Sequence, residues 1–300
     1  MTRFDRVAAL LRRLDGVFAC PVCEAPLAVG ADGGCLLCGC RHSFDLAIYG
    51  YVNLLLSTQR KSRLPGYTAD VLRARRAVLD QGFFAPMIRK VAARVIQRLQ
   101  ARPSGDPALI LDAGCGEGYV TSAVAARLRE KLGRAVDAVG LDISKEGIRI
   151  AARHDHSVAW CVANIARRLP FVTGKFDALT NVLSPANPPE FHRVLRPDGT
   201  LVKVVPMDNH LVELREALYE RREEGGRTTE KSVAELAPWF DVTGAERLNY
   251  AVLLHEEARR DVVKMSPLFW KAKKDRLASL QQTGIDRVRV DLLVITATAR

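Results

Sequence analysis

Hydrophobic positions along the chain fall into two regimes. Residues 3–17 place Val7, Leu10, Leu11 and Leu14 on one face of a short amphipathic helix whose expected part is packing. A helix is expected from about Thr68. Gly82-Phe-Phe-Ala-Pro86 then leads into a second helix reaching about Leu99. Ala101-Arg-Pro-Ser-Gly-Asp-Pro107 reads as a linker. From residue 108 short apolar runs alternate with helical periodicity, which predicts a parallel sheet with helices on both faces. Strands are expected near 108–113, 136–142, 157–162, 176–183 and 200–205, and the alternating stretch 287–298 should add an edge strand. No internal repeat or low-complexity tract interrupts this order.

The chemistry concentrates where the first of these strands ends. Ala108-Leu-Ile-Leu-Asp-Ala-Gly-Cys-Gly-Glu-Gly-Tyr119 is an apolar run closed by Asp112, then Gly114, Gly116 and Gly118 at alternate positions, then a helix start. Glycines there let backbone approach a ligand without Cβ atoms in the way. The spacing G-x-G-x-G departs from the dinucleotide fingerprint G-x-G-x-x-G, and Asp112 suits a ligand carrying positive charge. The next strand ends in Asp142, placed to accept hydrogen bonds from two ribose hydroxyls. D-x-G-x-G-x-G followed by a strand ending in Asp resembles the S-adenosylmethionine site of class I methyltransferases. Ligands in such sheets bind at the carboxyl ends of strands, which adds Glu117, Asn164 after the third strand and Asn181 at the end of the fourth. Asn164 takes the usual place for an adenine contact, with a turn-capping asparagine as the alternative.

Three hundred residues, 48% of them hydrophobic, allow one large α/β domain and a small appendage. No apolar run approaches the ~20 residues that span a bilayer. Arg3, Asp5, Arg6, Arg12, Arg13 and Asp15 rule out a signal peptide, so a cytosolic protein with reduced cysteines is expected. The net charge of +11 is uneven: residues 1–110 carry +8 and the remainder +3. Six basic residues, Arg60, Lys61, Arg63, Arg73, Arg75 and Arg76, stand against the single acid Asp70 within 57–76. Such a run is a reasonable grip on RNA phosphates, the alternative being a solvated helix face. Tyr49, Tyr51 and Tyr67 are interleaved with it as base-stacking rings, with core as the alternative for Tyr49 and Tyr51.

Five of the seven cysteines fall within 21 positions, in Cys20-Pro-Val-Cys23 and Cys35-Leu-Leu-Cys-Gly-Cys-Arg-His42. Paired C-x-x-C knuckles in a reduced compartment point to structural zinc. Two ligand sets fit: Cys20, Cys23, Cys35 and Cys38, or Cys20, Cys23, Cys38 and His42. A segment this short buries little core, so the metal would supply its folding energy.

Directly after the knuckles runs His42-Ser-Phe-Asp, then Gly50-Tyr-Val-Asn-Leu-Leu55. C-x-x-C, C-x-x-x-H-x-F-D and G-Y-V-N-L-L together resemble the 23S ribosomal RNA guanine-N1 methyltransferases, which include housekeeping enzymes and relatives conferring resistance to macrolides such as tylosin. The resemblance continues through Ala74-Arg-Arg-Ala77, Leu79-Asp80, Gly82, the glycine loop and Asp142-Ile-Ser-Lys145. It goes on through Asn187-Pro-Pro-Glu190, His210-Leu-Val-Glu-Leu214 and Met265-Ser-Pro-Leu-Phe-Trp270, covering nearly all of the chain from Cys20 onward.

The resemblance implies a class I S-adenosylmethionine-dependent methyltransferase (Rossmann-like) fold behind a zinc-binding domain at 1–56 and a basic helical connector at 57–107, the methyltransferase domain occupying 108–300. It implies Cys20, Cys23, Cys38 and His42 as zinc ligands, an antiparallel last strand and a homodimer. It also implies cofactor contacts from Phe84, Gly116, Glu117 and His210; some members carry tyrosine where this chain has Phe84. Guanine N1 carries a proton at neutral pH, so methyl transfer needs an acceptor, and a base inside a hairpin must be splayed out to reach the pocket. Asn181 and Asn187 are placed to hydrogen-bond the guanine edge but are not bases; His210 and solvent are the candidate acceptors. Two other classes compete with this one. A small-molecule methyltransferase has no need of the knuckle and the basic front end, and a non-catalytic zinc-ribbon RNA binder has no need of the loop.

Overall fold

The computed structural model describes residues 3–59, 68–101, 107–219, 229–265, 272, 275–277, 280 and 285–300. Arg60, Lys61, Arg63, Tyr67, most of the linker after Ala101 and most of the Met265–Trp270 motif lie outside the described residues. The front of the chain holds α1 (Arg3–Arg13), then β1 (Leu27–Val29), β2 (Cys35–Cys38), β3 (Ser43–Asp45) and β4 (Tyr51–Asn53). Helices α2 (Ala69–Asp80) and α3 (Ala85–Gln100) follow. The alternating region is β5 (Ala108–Ala113), α4 (Tyr119–Leu132), β6 (Val136–Asp142), α5 (Lys145–His154), β7 (Val158–Val162) and β8 (Phe176–Val182). It continues with α6 (Pro188–Val194), β9 (Leu195–Pro206), α7 (Val212–Leu218), α8 (Thr229–Ala234), β10 (Phe240–Leu253), α9 (Glu256–Met265) and β11 (Arg287–Ala299).

Strands β1, β2 and β3 form a small antiparallel sheet, the body of the cysteine-rich ribbon. The other eight form one sheet in the order β10-β11-β9-β8-β5-β6-β7-β4. Its pairs from β4 across to β9 are parallel, and β11 and β10 run antiparallel at the far side. The strand order turns around β5, which pairs with β6 on one side and β8 on the other, so a crevice opens beyond their carboxyl ends.

Two differences from the sequence-based expectation have physical causes. The strand at 287–299 is not at the edge: it is buried along most of its length between β9 and β10, and the edge belongs to Phe240–Leu253. That edge strand carries Glu246, Arg247 and Asn249, charge and amide that mask its strand pattern and suit an unpaired edge. Tyr51–Asn53, inside the segment read as a separate zinc domain, pairs with Tyr51 opposite Trp160 and closes the other side of the main sheet.

The faces of the sheet are covered differently. Met87, Val91 and Val95 of α3, Val124 and Leu128 of α4 and Ile148 of α5 pack with Ile110, Ala138 and Val202 on one face. On the other, Val7, Leu10, Leu11 and Leu14 pack with Leu111, Val139, Leu141 and Leu179. Residues 163–175 join β7 to β8 without a helix. Helix α1 and the ribbon cover that face instead, with Phe18 against Phe171 at 5.5 Å. Four such buried side chains contribute roughly 6–12 kcal/mol gross. Alone, an 11-residue helix would be marginal. Arg13 at its end adds a 2.8 Å bond to Asp137 of β6.

Candidate active site and metal centre

Two tight turns build the metal centre. Cys20 and Cys23 bracket the first, and Cys38, closing β2, and His42 bracket the second. Backbone N–H groups point at the sulfurs: Val22 donates to Cys20 Sγ at 3.4 Å and His42 to Cys38 Sγ at 3.3 Å. Such donors favour thiolate, and a bond from the Ala25 backbone holds the Cys23 thiol below its ordinary pKa. His42 Nδ1 lies 3.3 Å from Cys38 Sγ and 3.5 Å from Cys20 Sγ, and Cys23 and Cys38 sulfurs are 3.6 Å apart. All four donor atoms fall within 4.8 Å of one another, a set that fits tetrahedral zinc. Cys35 stands apart, its sulfur turned toward Gly30, so the ligand set with His42 is the one brought together; Cys40 is exposed.

The glycine loop follows β5 at the turn in strand order. A Cβ on Gly114 would sit 1.9 Å from Ser184 Oγ, and one on Gly118 would sit 2.6 Å from Ala151 and Trp160. A Cβ on Gly116 would meet nothing within 4 Å. Protein backs the loop on both sides and space opens at its middle, where a ligand can lie against backbone. Three carboxylates surround that space. Asp112 is buried and accepts bonds from the hydroxyls of Thr121 and of Thr180, the latter at 2.9 Å. Burial raises its pKa to about 6. Asp142 accepts from the N–H of Gly116 at 2.9 Å and of Ser144 at 2.8 Å, and burial raises its pKa too. Glu117, also buried, is paired with Arg75 of α2 at 3.0 Å. A concentration of buried negative charge at a glycine turn fits a cationic cofactor bearing a ribose.

The remaining expected cofactor contacts divide. Phe84 begins α3, buried edge-on against Phe83 at 4.9 Å, and its ring stacks 6.5 Å from His210. The Asp291 N–H donates to His210 Nδ1 at 3.4 Å, which assigns the ring proton to Nε2. Burial, helped by Arg215, lowers the pKa of His210 to about 4. The ring is therefore neutral with its free lone pair engaged, a hydrogen-bond donor rather than a proton acceptor. Asn164 caps its own turn, accepting from Ala166 N–H at 2.9 Å. Asn181, fully buried, donates both amide hydrogens to backbone, Ala113 O at 2.7 Å and Pro185 O at 3.0 Å. Its oxygen takes Lys203 Nζ at 2.6 Å. That side chain is committed to the fold and has no hydrogen left for a ligand or a guanine edge. Asn187 likewise donates to Ile165 O and Arg167 O, tying the exit of β8 to the loop after β7.

Residues 110–199 match the family described as methyltransferase domain, and residues 18–63 match the zinc ribbon described as RlmA, N-terminal. The chain is 35% identical over 286 residues to YxjB of Bacillus subtilis (strain 168), whose name places it among the 23S rRNA (guanine-N(1)-)-methyltransferases. That match covers 93% of this chain and 96% of the relative. It is 38% identical over 264 residues to the 23S rRNA (guanine(748)-N(1))-methyltransferase of Streptomyces fradiae, covering 86% and 88%. A third relative, from Micromonospora griseorubida and named in the same class, is 36% identical over 272 residues, covering 87% and 89%. The chain belongs to the 23S rRNA (guanine-N1)-methyltransferase family. It has the class I S-adenosylmethionine-dependent methyltransferase fold, and its cofactors are S-adenosylmethionine and a structural zinc ion.

Within this family member the basic segment is not a uniform RNA face. Arg73 is exposed and pairs with Asp70. Arg76 pairs with Asp80 at 3.0 Å and lies 4.8 Å over the Tyr119 ring. Arg75 is turned inward to Glu117, which removes it from the candidate phosphate grip. The reason is helical spacing: Leu72, Arg75 and Leu79 share one face, and both leucines are buried. Tyr51 is core, and Tyr49 is covered by the Arg153 and Arg149 guanidinium groups at 5.2 and 5.8 Å. Sequence reasoning missed Thr121, Thr180 and Lys203. Only Lys203 left a signal, a lone charge inside the apolar run Leu201–Val205.

Proposed function

We propose that this protein transfers a methyl group from S-adenosylmethionine to N1 of a guanine in 23S rRNA, in the cytoplasm and as a homodimer. What supports the reading most is that the relatives' likeness spans both the metal centre and the glycine loop, two sites that only an RNA-directed enzyme of this class needs together. Among the described residues no helix is long and apolar enough to cross a membrane. The labour divides as 1–56 for zinc, 57–107 for phosphate contacts and 108–300 for methyl transfer, with β4 shared between the first and last.

The cofactor supplies a methyl group already activated on a sulfonium, so the protein's task is positioning and charge. Asp142 would take the ribose hydroxyls, its carboxylate fixed by the Gly116 and Ser144 amides. Asp112 and Glu117 supply negative potential beside the loop, Gly114 and Gly118 set its turn, and Gly116 leaves room for the ligand. Phe84 and His210 form one wall, with His210 donating through Nε2. Neither His210, with Nδ1 engaged, nor the asparagines can take the guanine proton, so it leaves to water. Arg60, Lys61, Arg63, Arg73 and Arg76 hold RNA phosphates.

Deletion of the gene followed by mass spectrometry of 23S rRNA fragments should show the loss of one guanine methyl group. Unchanged fragments would sink the proposal. Macrolide susceptibility of the same strain separates a resistance role from a housekeeping one, and light scattering of the purified protein tests the dimer.

A further inference from the structure

Lys203 is 1% exposed, in the middle of β9, with Leu201, Val202, Val204 and Val205 buried around it. An amine in such a place is costly unless polar partners receive it, and a leucine there would extend the core at no such cost. Its partners are specific. Register places Lys203 opposite Asn181 of β8, and Nζ donates to Asn181 Oδ1 at 2.6 Å and to Ser184 O at 3.3 Å. Asn181 passes the support on, to Ala113 O immediately before the glycine loop and to Pro185 O. Two carbonyls of the loop leaving β8 are therefore drawn inward onto one buried pair. Above them Ser184 packs against Gly114 so closely that a Cβ on that glycine would sit 1.9 Å from Ser184 Oγ. Leu183, where the chain turns, holds φ at +50° with its N–H bonded to Val204 O at 3.0 Å. A non-glycine residue in that conformation persists only where its surroundings determine it.

We propose that Lys203 is a positioning residue for the methyl acceptor. Through Asn181 and Ser184 it sets the height of loop 183–187 over the glycine loop, and so the place where the guanine ring meets the methyl group. This rests on the proposed function for the identity of the acceptor, not for the geometry. Lys203 reaches neither ligand; its effect passes through the loop.

The test compares Lys203→Met, close in volume, with wild type. Cofactor affinity by calorimetry should stay within about twofold, while kcat on a full-length 23S rRNA transcript falls about tenfold or more. Amide exchange at Leu183, Ser184 and Ala186 should quicken by about tenfold as the carbonyl anchors are lost. Leu183→Gly, which frees the turn without touching the core pair, should lower kcat in the same direction and serves if Lys203→Met does not fold. Wild-type protection of the loop amides together with unchanged kcat overturns the inference. So does a loss of cofactor affinity in step with kcat, which would make Lys203 a support of the cofactor site instead. A wild type that methylates no 23S rRNA removes the proposed function alone; loop exchange and cofactor affinity still decide on Lys203.

Discussion

The metal centre and the glycine loop are each announced by a short motif, yet they are completed differently. The four metal ligands come from two turns within one small sheet, and their donor atoms already face one another. Around the loop the carboxylates come from β5, β6 and the loop itself, and their partners arrive from α2, α4 and β8. A site built from neighbouring residues is fixed by spacing; one built from distant segments is fixed by the sheet. The first should therefore fail all at once when a ligand is lost, and the second by degrees.

Zinc removal is the largest expected effect. Binding of structural zinc is worth about 10–16 kcal/mol, comparable with the whole 5–15 kcal/mol stability of a typical domain. Spacing alone would confine the damage to the front end. Because α1 and the ribbon share a core with the sheet and Tyr51–Asn53 forms its edge, Cys38→Ser should unfold the sheet too. Cys35→Ser and Cys40→Ser should keep one zinc per chain and the wild-type melting temperature. The X-ray absorption edge should fit three sulfurs and one nitrogen; four sulfurs, or zinc lost from Cys35→Ser, would return Cys35 to the ligand set.

A gentler probe reads the loop by pH. Asp112 has its folded pKa raised from 3.8 to about 6, so its contribution to stability is present below 3.8 and is lost as pH rises through about 6. His210 has its pKa lowered from 6.5 to about 4, so its contribution is present above 6.5 and is lost as pH falls to about 4. Each amounts to about 3 kcal/mol, and between pH 4 and 6 they oppose one another. His210→Gln should remove one side of this balance. Relative to the variant, wild type should lose about 3 kcal/mol on going from neutral pH to about pH 4, measured by denaturant titration. Binding of S-adenosylmethionine near pH 6 should release protons as Asp112 ionises beside a cation, seen as buffer-dependent binding heats. Buffer-independent heats would place Asp112 outside the cofactor's field.

How much of this was legible follows from the same contrast. The knuckles and the D-x-G-x-G-x-G run are local, so residue types and spacing sufficed for Cys20, Cys23, Asp112 and the glycines. Strand ends are where such sheets bind ligands, which points to Asn181 as a ligand contact, but its amide is taken up by backbone and by Lys203, a partner across a strand pair that only register reveals. The edge strand Phe240–Leu253 stayed hidden because an unpaired edge tolerates charge, which weakens alternation. Arg75 was legible and missed. Its place between Leu72 and Leu79 on a buried face is written in the spacing, a signal outweighed by the run of basic charge around it.

That inward arginine gives the finest test of the comparison, because two neighbours on one helix should answer to different sites. Arg73 is exposed and pairs with the exposed Asp70, so Arg73→Ala should weaken RNA binding modestly and lower the slope of log affinity against log salt by about 0.7–0.9, one phosphate's worth. Cofactor affinity should not move. Arg75 faces the buried Glu117 and lies close enough to offset part of the burial-driven rise in the Asp142 pKa, so removing it leaves carboxylates less compensated. Arg75→Ala should leave the RNA salt slope as in wild type and change cofactor affinity instead. Replacing Arg60, Lys61 and Arg63 together should flatten the slope by about two to three units, again without touching the cofactor. Filter binding at several salt concentrations beside calorimetry with S-adenosylmethionine separates the cases. If Arg75→Ala flattens the slope as Arg73→Ala does, the inward pair with Glu117 opens in solution and the helix presents one continuous phosphate grip.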